Sequence, residues 1–171
     1  MKRLVPVLLV FAIAPAALAA PRGANFGTHL GGDEEVPARA TLAQGQATFH
    51  LNADGSALSY RLIASNIENV VASHIHLGPQ GENGPVVAFL YGNVPAGGGR
   101  TDGVLATGTL TDANLVGPLA GHTLSALVDA IRDGNAYVNV HTNDGVAPTN
   151  TGPGDFPGGE IRGQIEVHGR A

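Results

Sequence analysis

Residues 45–64 read GQATFHLNADGSALSYRLIA, and this stretch decides the fold class. In its first part Ala47, Phe49 and Leu51 alternate with polar residues, which is the period of a strand with one buried face. Residues 52–55, NADG, are a turn signal, and after them apolar residues alternate again to the end of the stretch. The stretch therefore predicts a β-hairpin.

The same alternation continues along the chain, with turn signals about every 8–12 residues, which is typical of all-β domains. Further strands are predicted at residues 70–77, 85–91, 104–110, 137–142 and 160–168. Thr111 and Thr123 are predicted helix N-caps, and the apolar spacing after Thr123 indicates one short helix that ends near Gly134. Residues 92–103 and 143–158 are predicted to be Gly- and Pro-rich loops. Seven or eight strands and one helix predict an all-β fold, an antiparallel sandwich or a flattened barrel.

The composition points to one folded domain and excludes several classes of partner. The chain has 171 residues, of which 43% are hydrophobic and 13% charged, so it is too apolar to be disordered. Its formal net charge is -5, and it has no basic run, 5% aromatic residues and no Trp. We therefore expect no nucleic-acid partner.

The N-terminus has the pattern of a secretory signal peptide. Lys2 and Arg3 precede an uncharged apolar stretch, residues 4–18, and Ala-Leu-Ala at residues 17–19 fits a cleavage site. We expect cleavage there, a mature domain over residues 20–171, and export to the periplasm or the extracellular space. The apolar stretch is short and broken by proline, so we expect no membrane span in the mature chain. The chain contains no Cys, so the exported domain must be stabilised by its hydrophobic core and not by disulfides.

Two predicted strands carry the histidines of most interest. In a strand the side chains alternate between faces, so His74 and His76 point to one side and Ile75 to the core. In residues 137–142, YVNVHT, the two valines define the core face, which places Asn139 and His141 outward as well. If the strands are neighbours, three imidazoles converge on the outer face of the sheet.

Three converging imidazoles form a plausible ligand set for copper or zinc. His50 also faces outward, so it is a candidate further ligand or supporting residue, and Asn139 is a candidate supporting residue. A histidine on the wet face of a sheet can also simply hydrogen-bond a neighbouring loop, and this alternative stays open.

Other chemical motifs are weak or absent in the sequence. Asp33, Glu34 and Glu35 follow one another directly, which is not the spacing of a calcium loop, so we expect a solvated charge cluster. The sequence contains no nucleophile elbow, phosphate loop or dinucleotide fingerprint. We expect no catalytic residues from these motifs.

The motifs, taken in order, resemble those of a known domain family. They are residues 32–37 (GDEEVP), 74–79 (HIHLGP), 84–87 (GPVV), 137–142 (YVNVHT) and 159–165 (GEIRGQI). This pattern resembles the CHRD domain, which is found in chordin and in many exported bacterial proteins. The resemblance runs from about residue 29 to residue 167, which is nearly all of the predicted mature chain.

The resemblance implies an immunoglobulin-like barrel similar to copper–zinc superoxide dismutase. His74, His76 and His141 look like the copper ligands of that enzyme, and Arg162 is expected near the same site. Residues 77–121 contain no histidine, so no bridging imidazole or zinc site is implied, and copper alone remains.

Three functions stay open at this point. The family has no established activity, so the first is a non-enzymatic exported module that binds an unknown periplasmic or extracellular protein or surface ligand. The second is a copper-binding protein, with dismutase-like or copper-handling activity. The third is a purely structural envelope domain. Whether the protein is an enzyme is left undecided by the sequence.

Overall fold

The computed structural model describes residues 23–168 of the chain. The predicted signal peptide and its cleavage site lie outside these residues. Within them, nine strands and one α-helix are present. The strands are β1 (Ala24–Gly31), β2 (Gln44–Leu51), β3 (Leu58–Glu68), β4 (Val70–Leu77), β5 (Val86–Gly92), β6 (Arg100–Leu110), β7 (Ala136–Thr142), β8 (Ile161–Gln164) and β9 (Glu166–His168). The helix α1 spans Leu124–Arg132.

The strands form one antiparallel sheet that closes almost into a barrel. The hydrogen-bonded order is β5-β4-β7-β8-β1-β2-β3-β6, and β9 pairs with β1. The outer strands β5 and β6 nearly meet, and the Tyr60 hydroxyl of β3 donates to the Leu90 carbonyl of β5 at 2.8 Å across the gap. The all-β prediction of a flattened barrel is therefore confirmed.

The predicted hairpin is present, with β2 and β3 paired in register from Gln44–Ser65 to Leu51–Leu58. Its turn is closed by the Gly55 amide, which donates to the Asn52 carbonyl at 3.1 Å. Apolar side chains on the inner faces of the strands and of α1 form one core. In the described part of the chain, no helix has the length and apolar character needed to cross a membrane.

Several predicted boundaries are wrong. The strand β1 was not predicted, because Gly27 and Gly31 interrupt its alternation, yet it pairs with β2 along its whole length. The strand β6 begins at Arg100, inside the predicted loop 92–103. The last predicted strand is split at Ile165, whose side chain is fully buried. Two strands therefore stand where one was expected.

Both predicted helix N-caps need correction. Thr111 starts only a three-residue 3-10 turn, Asp112–Asn114, rather than an α-helix. α1 begins directly after Thr123 as predicted, but the Thr123 side chain does not cap it. The carboxylate of Asp112 accepts from the Leu124 amide at 2.6 Å instead. At the other end Gly134 has a φ of +71°, the left-handed conformation predicted for the residue after a helix.

Candidate metal centre

Three histidine side chains meet on adjacent strands. His74 and His76 lie on β4, and β7 pairs with β4 so that His74 is opposite Asn139 and Ala72 is opposite His141. Directly opposed residues of an antiparallel pair share a face, so all three imidazoles lie on one side of the sheet. One ring nitrogen from each lies within 4.8 Å of the other two. The structure therefore brings together the three residues selected from the sequence.

Loop carbonyls fix the tautomer of two of these rings. The Nδ1 atom of His76 lies 2.9 Å from the Gly84 carbonyl, and the Nδ1 atom of His141 lies 2.9 Å from the Pro157 carbonyl. Because a carbonyl oxygen only accepts, each Nδ1 carries a hydrogen and donates it. In the neutral rings, the lone pair is then on Nε2, which is the arrangement typical of metal-ligating histidines.

His74 has no carbonyl partner. Its Nδ1 lies 3.0 Å from the Nε2 atom of His141, and its Nε2 has no hydrogen-bond partner within residues 23–168. The Nε2 atom of His76 is likewise buried without a partner. Since the exposed fractions of His74 and His76 are only 9% and 8%, two unpaired imidazole nitrogens are enclosed in this cluster.

The spacing of the nitrogens suits a shared transition-metal ion. Two nitrogens bound to one metal at about 2.0–2.1 Å stand roughly 2.9–3.4 Å apart, and the ring nitrogens of the cluster, within 4.8 Å of one another, are close to that spacing. Three atoms within 4.8 Å of one another lie within about 2.8 Å of a common point, so shifts of less than about 1 Å would complete the site.

Burial keeps the three imidazoles neutral. It lowers the pKa of His74 to about 4, with further lowering from the neighbouring His141 and His76. Burial also lowers the pKa of His76, against the hydrogen bond to Gly84 and together with the charge of Arg162. The pKa of His141 is lowered by burial, although its hydrogen bond to Pro157 opposes this. Neutral imidazole is the form that coordinates metals.

Aromatic side chains enclose the cluster. The ring of Phe89 on β5 meets His74 edge-on, with centroids 4.7 Å apart and an angle of 87°. Tyr137 on β7 stacks on His76 at 4.9 Å and 13°. Phe89 is itself 43% exposed, so the cluster lies just beneath the surface on its side of the sheet.

The solvent exposure that we expected for this face is wrong. His74, His76, Tyr137 and Asn139 are all buried, although they point away from the core as predicted. The reason is that loops from distant parts of the chain lie over β4 and β7, and they include the carbonyls of Gly84 and Pro157. The histidines therefore occupy a buried polar layer between the sheet and its loops.

Two of the three predicted supporting residues belong to this layer. Arg162 on β8 is opposite Asn139 and is 1% exposed. The amide nitrogen of Asn139 donates to a carboxylate oxygen of Glu35 at 2.9 Å, and its buried Oδ1 has no partner.

The third predicted supporting residue is elsewhere. His50 lies on β2, which is separated from β7 by β8 and β1 in the sheet. It is exposed, and its Nδ1 lies 2.8 Å from the side-chain oxygen of Asn25. The structure does not bring His50 to the histidine cluster, because its outward face belongs to another part of the barrel.

Buried carboxyl groups were missed by the sequence reasoning. Glu35 was expected in a solvated charge cluster, but only Asp33 and Glu34 are exposed. Burial raises the pKa of Glu35 to about 7, against the opposing charges of Arg162 and Arg39. Glu160 is also fully buried. No periodic pattern marks these residues, because they lie on turns rather than in the middle of strands.

Comparison with known proteins identifies a domain family that covers most of the chain. The family model of the CHRD domain matches residues 26–165. Neither the curated proteins nor the solved structures gave a match.

Proposed function

This chain belongs to the CHRD domain family, and on that premise we propose that it is an exported, non-enzymatic module that binds one copper ion through His74, His76 and His141. The observation that carries the proposal is the pair of buried imidazole nitrogens without a partner, beside a third imidazole. Leaving a buried polar group unpaired costs about 1–3 kcal/mol, and coordination would remove this cost for both nitrogens.

The donor set favours copper among the metals. The cluster offers three neutral imidazoles and no carboxylate or thiolate, which suits copper or zinc rather than calcium or magnesium. Structural zinc sites almost always have four protein ligands, and here three are present. Copper also binds nitrogen ligands more tightly than the other divalent first-row metals. When bound, it would supply one-electron chemistry between Cu(I) and Cu(II).

The protein's own residues would prepare the site. Gly84 and Pro157 hold two rings in the metal-competent tautomer, and Phe89 and Tyr137 pack against the histidines. A site whose ligands are already oriented and neutral needs little reorganisation to bind the ion. The proposal is confined to binding and presentation of the metal to an unknown periplasmic or extracellular partner.

The test is a titration of the purified protein with copper, followed by electron spin resonance for Cu(II) and by absorbance-based chelator competition for both oxidation states. We expect one ion per chain, and loss of binding in His74→Ala, His76→Ala and His141→Ala. His50→Ala and His122→Ala, which change exposed histidines outside the cluster, are the matched controls. Absence of bound copper, or equal losses in the control variants, would refute the proposal.

Export is proposed separately on the N-terminal pattern. Sequencing the N-terminus of the protein recovered outside the cytoplasm should give a chain that begins at Ala20 or Pro21. A protein that keeps residues 1–19, or that stays in the cytoplasm, would contradict this part of the proposal.

A further inference from the structure

We propose that the three-histidine site prefers Cu(I) to Cu(II), and that the buried charge of Arg162 is a cause of this preference. This inference rests on the proposed copper binding and adds the oxidation state of the ion. It follows from the stacking of side chains across three strands, from the lack of a carboxylate in contact with Arg162 among residues 23–168, and from the number of ligands.

Arg162 is linked to a candidate ligand by a stack of side chains. β7 lies between β4 and β8, so Tyr137 stands between His76 on one side and Arg162 on the other. The His76 and Tyr137 ring centroids are 4.9 Å apart, and the guanidinium carbon of Arg162 is 3.5 Å from the Tyr137 centroid. The guanidinium therefore lies one aromatic ring away from the imidazole of His76.

The Arg162 charge is buried without a contacting carboxylate. Its guanidinium donates to the side-chain oxygen of Asn83 at 3.2 Å and to the Pro79 carbonyl at 3.1 Å, both of which are neutral. Among residues 23–168, the ion pairs present involve other arginines. The charged group that faces it at longer range is the carboxyl of Glu35, which Arg39 also faces.

A buried positive charge penalises a doubly charged ion more than a singly charged one. The repulsion is proportional to the charge on the metal, and the interior screens it less than water does. Arg162 is close enough to act on the ligand, because its guanidinium carbon lies 3.5 Å from the Tyr137 ring that stacks on His76. The field of this residue therefore raises the free energy of Cu(II) in the site relative to Cu(I).

The ligand set acts in the same direction. Cu(II) prefers tetragonal coordination by nitrogen and oxygen, whereas the cluster offers three nitrogens and no anionic group that would offset the second charge. Cu(I) has a filled d shell and is satisfied by two or three ligands. The packing of Phe89 against His74 also places an apolar group at the edge of the cluster.

The experiment measures the dissociation constants of both oxidation states by competition with Cu(I)-specific and Cu(II)-specific chelators. We expect the wild-type protein to bind Cu(I) more tightly. Arg162→Gln should lower the ratio of the Cu(II) to the Cu(I) dissociation constant by about tenfold or more, which is a fall of about 59 mV in the reduction potential. Arg162→Lys keeps a charge, and Arg132→Gln removes an exposed one, so both should change the ratio less.

A second variant leaves Arg162 in place in case its loss prevents folding. Asn83 is exposed and accepts from Arg162, so Asn83→Asp would pair the guanidinium with a carboxylate and should lower the ratio in the same direction. If the wild type binds Cu(II) at least as tightly as Cu(I), or if the ratio of the two dissociation constants is unchanged in both Arg162→Gln and Asn83→Asp, this inference is overturned and the proposed copper binding stands. Failure to bind copper in either state overturns both.

Discussion

Replacement of His74 by leucine separates the metal-binding interpretation from ordinary packing. The side chain of His74 is 9% exposed, and its only hydrogen bond is to another histidine of the cluster. Leucine removes the unpaired Nε2, which should return about 1–3 kcal/mol. It also loses the hydrogen bond to His141, about 0.5–1.5 kcal/mol, and the edge contact with Phe89, a similar amount. We therefore expect the free energy of unfolding of the metal-free variant to lie within about 1 kcal/mol of that of the wild type.

A substitution at the neighbouring residue shows how much stability is lost when an ordinary core side chain is truncated. Ile75 is fully buried in the core, on the opposite face of the same strand. Ile75→Ala removes core contacts and leaves a cavity, so it should lower the free energy of unfolding by about 2–5 kcal/mol. The two variants differ by one position in the chain, and this makes Ile75→Ala a matched reference.

Copper should shrink the difference in stability between the two variants by about 2.7 kcal/mol. At a free copper concentration one hundred times the dissociation constant, the wild type and Ile75→Ala should both gain about 2.7 kcal/mol. His74→Leu should gain little, because it lacks one of the three ligands. Urea unfolding followed by far-UV circular dichroism, with a chelator and then with copper, measures both differences.

Two results would refute this reasoning. If metal-free His74→Leu loses as much stability as Ile75→Ala, the buried nitrogen is not a cost to the native protein. If copper stabilises His74→Leu as strongly as the wild type, His74 is not a ligand.

Further predictions concern the loop carbonyl and the titrating groups. In Gly84→Ala the added Cβ would overlap the Leu77 carbonyl, so the Gly84 carbonyl must move away from His76. Copper affinity should then fall about 10–100-fold, whereas Gly98→Ala, whose Cβ would lie in open space, should leave the affinity unchanged. Equal copper affinities of the two variants would contradict the role of Gly84. Because the pKa of His74 is lowered to about 4, protonation of this ring destabilises the native state as pH falls from about 6.5 to 4. Over that interval the free energy of unfolding of the metal-free wild type should fall by up to about 3 kcal/mol relative to that of His74→Leu. A difference in urea midpoints that stays constant with pH would argue against this. Because the pKa of Glu35 is raised to about 7, its ionisation lowers the free energy of unfolding as pH rises from about 4.5 to 7. Glu35→Gln should therefore become more stable relative to the wild type over that interval. Urea midpoints of the two proteins that change in parallel with pH would count against this prediction.

The face of the sheet on which the histidines lie could be predicted from the sequence, because it depends on a local rule. Side chains alternate along β4 and β7, and the fully buried Ile75, Val138 and Val140 lie on the core face, as expected. The same rule places His74 and His141 on the other face. That β4 and β7 are neighbours could not be derived from alternation, and the resemblance to a barrel family supplied it.

The burial of the site could not be predicted, because it depends on contacts between distant residues. Glu35 reaches Asn139 across 104 positions of the chain, and Arg162 reaches Pro79 across 83. No periodicity marks such contacts. The sequence showed a charged turn before β2, which was interpreted as solvated, whereas its Glu35 is buried against the sheet.

The covering loops, more than the strands, decide whether the three histidines form a competent site. Strands β4 and β7 set which face the rings share, but the tautomers of His76 and His141 are set by carbonyls of the two loops. A buried carboxyl group holds the loop that contains Pro157 against the sheet.

Glu160 shows how such a carboxylate works. It accepts from the hydroxyls of Thr41 and Thr142, each at 2.6 Å, and from the Gly154 amide at 2.8 Å. These bonds tie the loop that contains Pro157 to β7. A change at Glu160 should therefore disturb His141 although the two side chains are not in contact, because the carbonyl that orients His141 belongs to the loop that Glu160 holds.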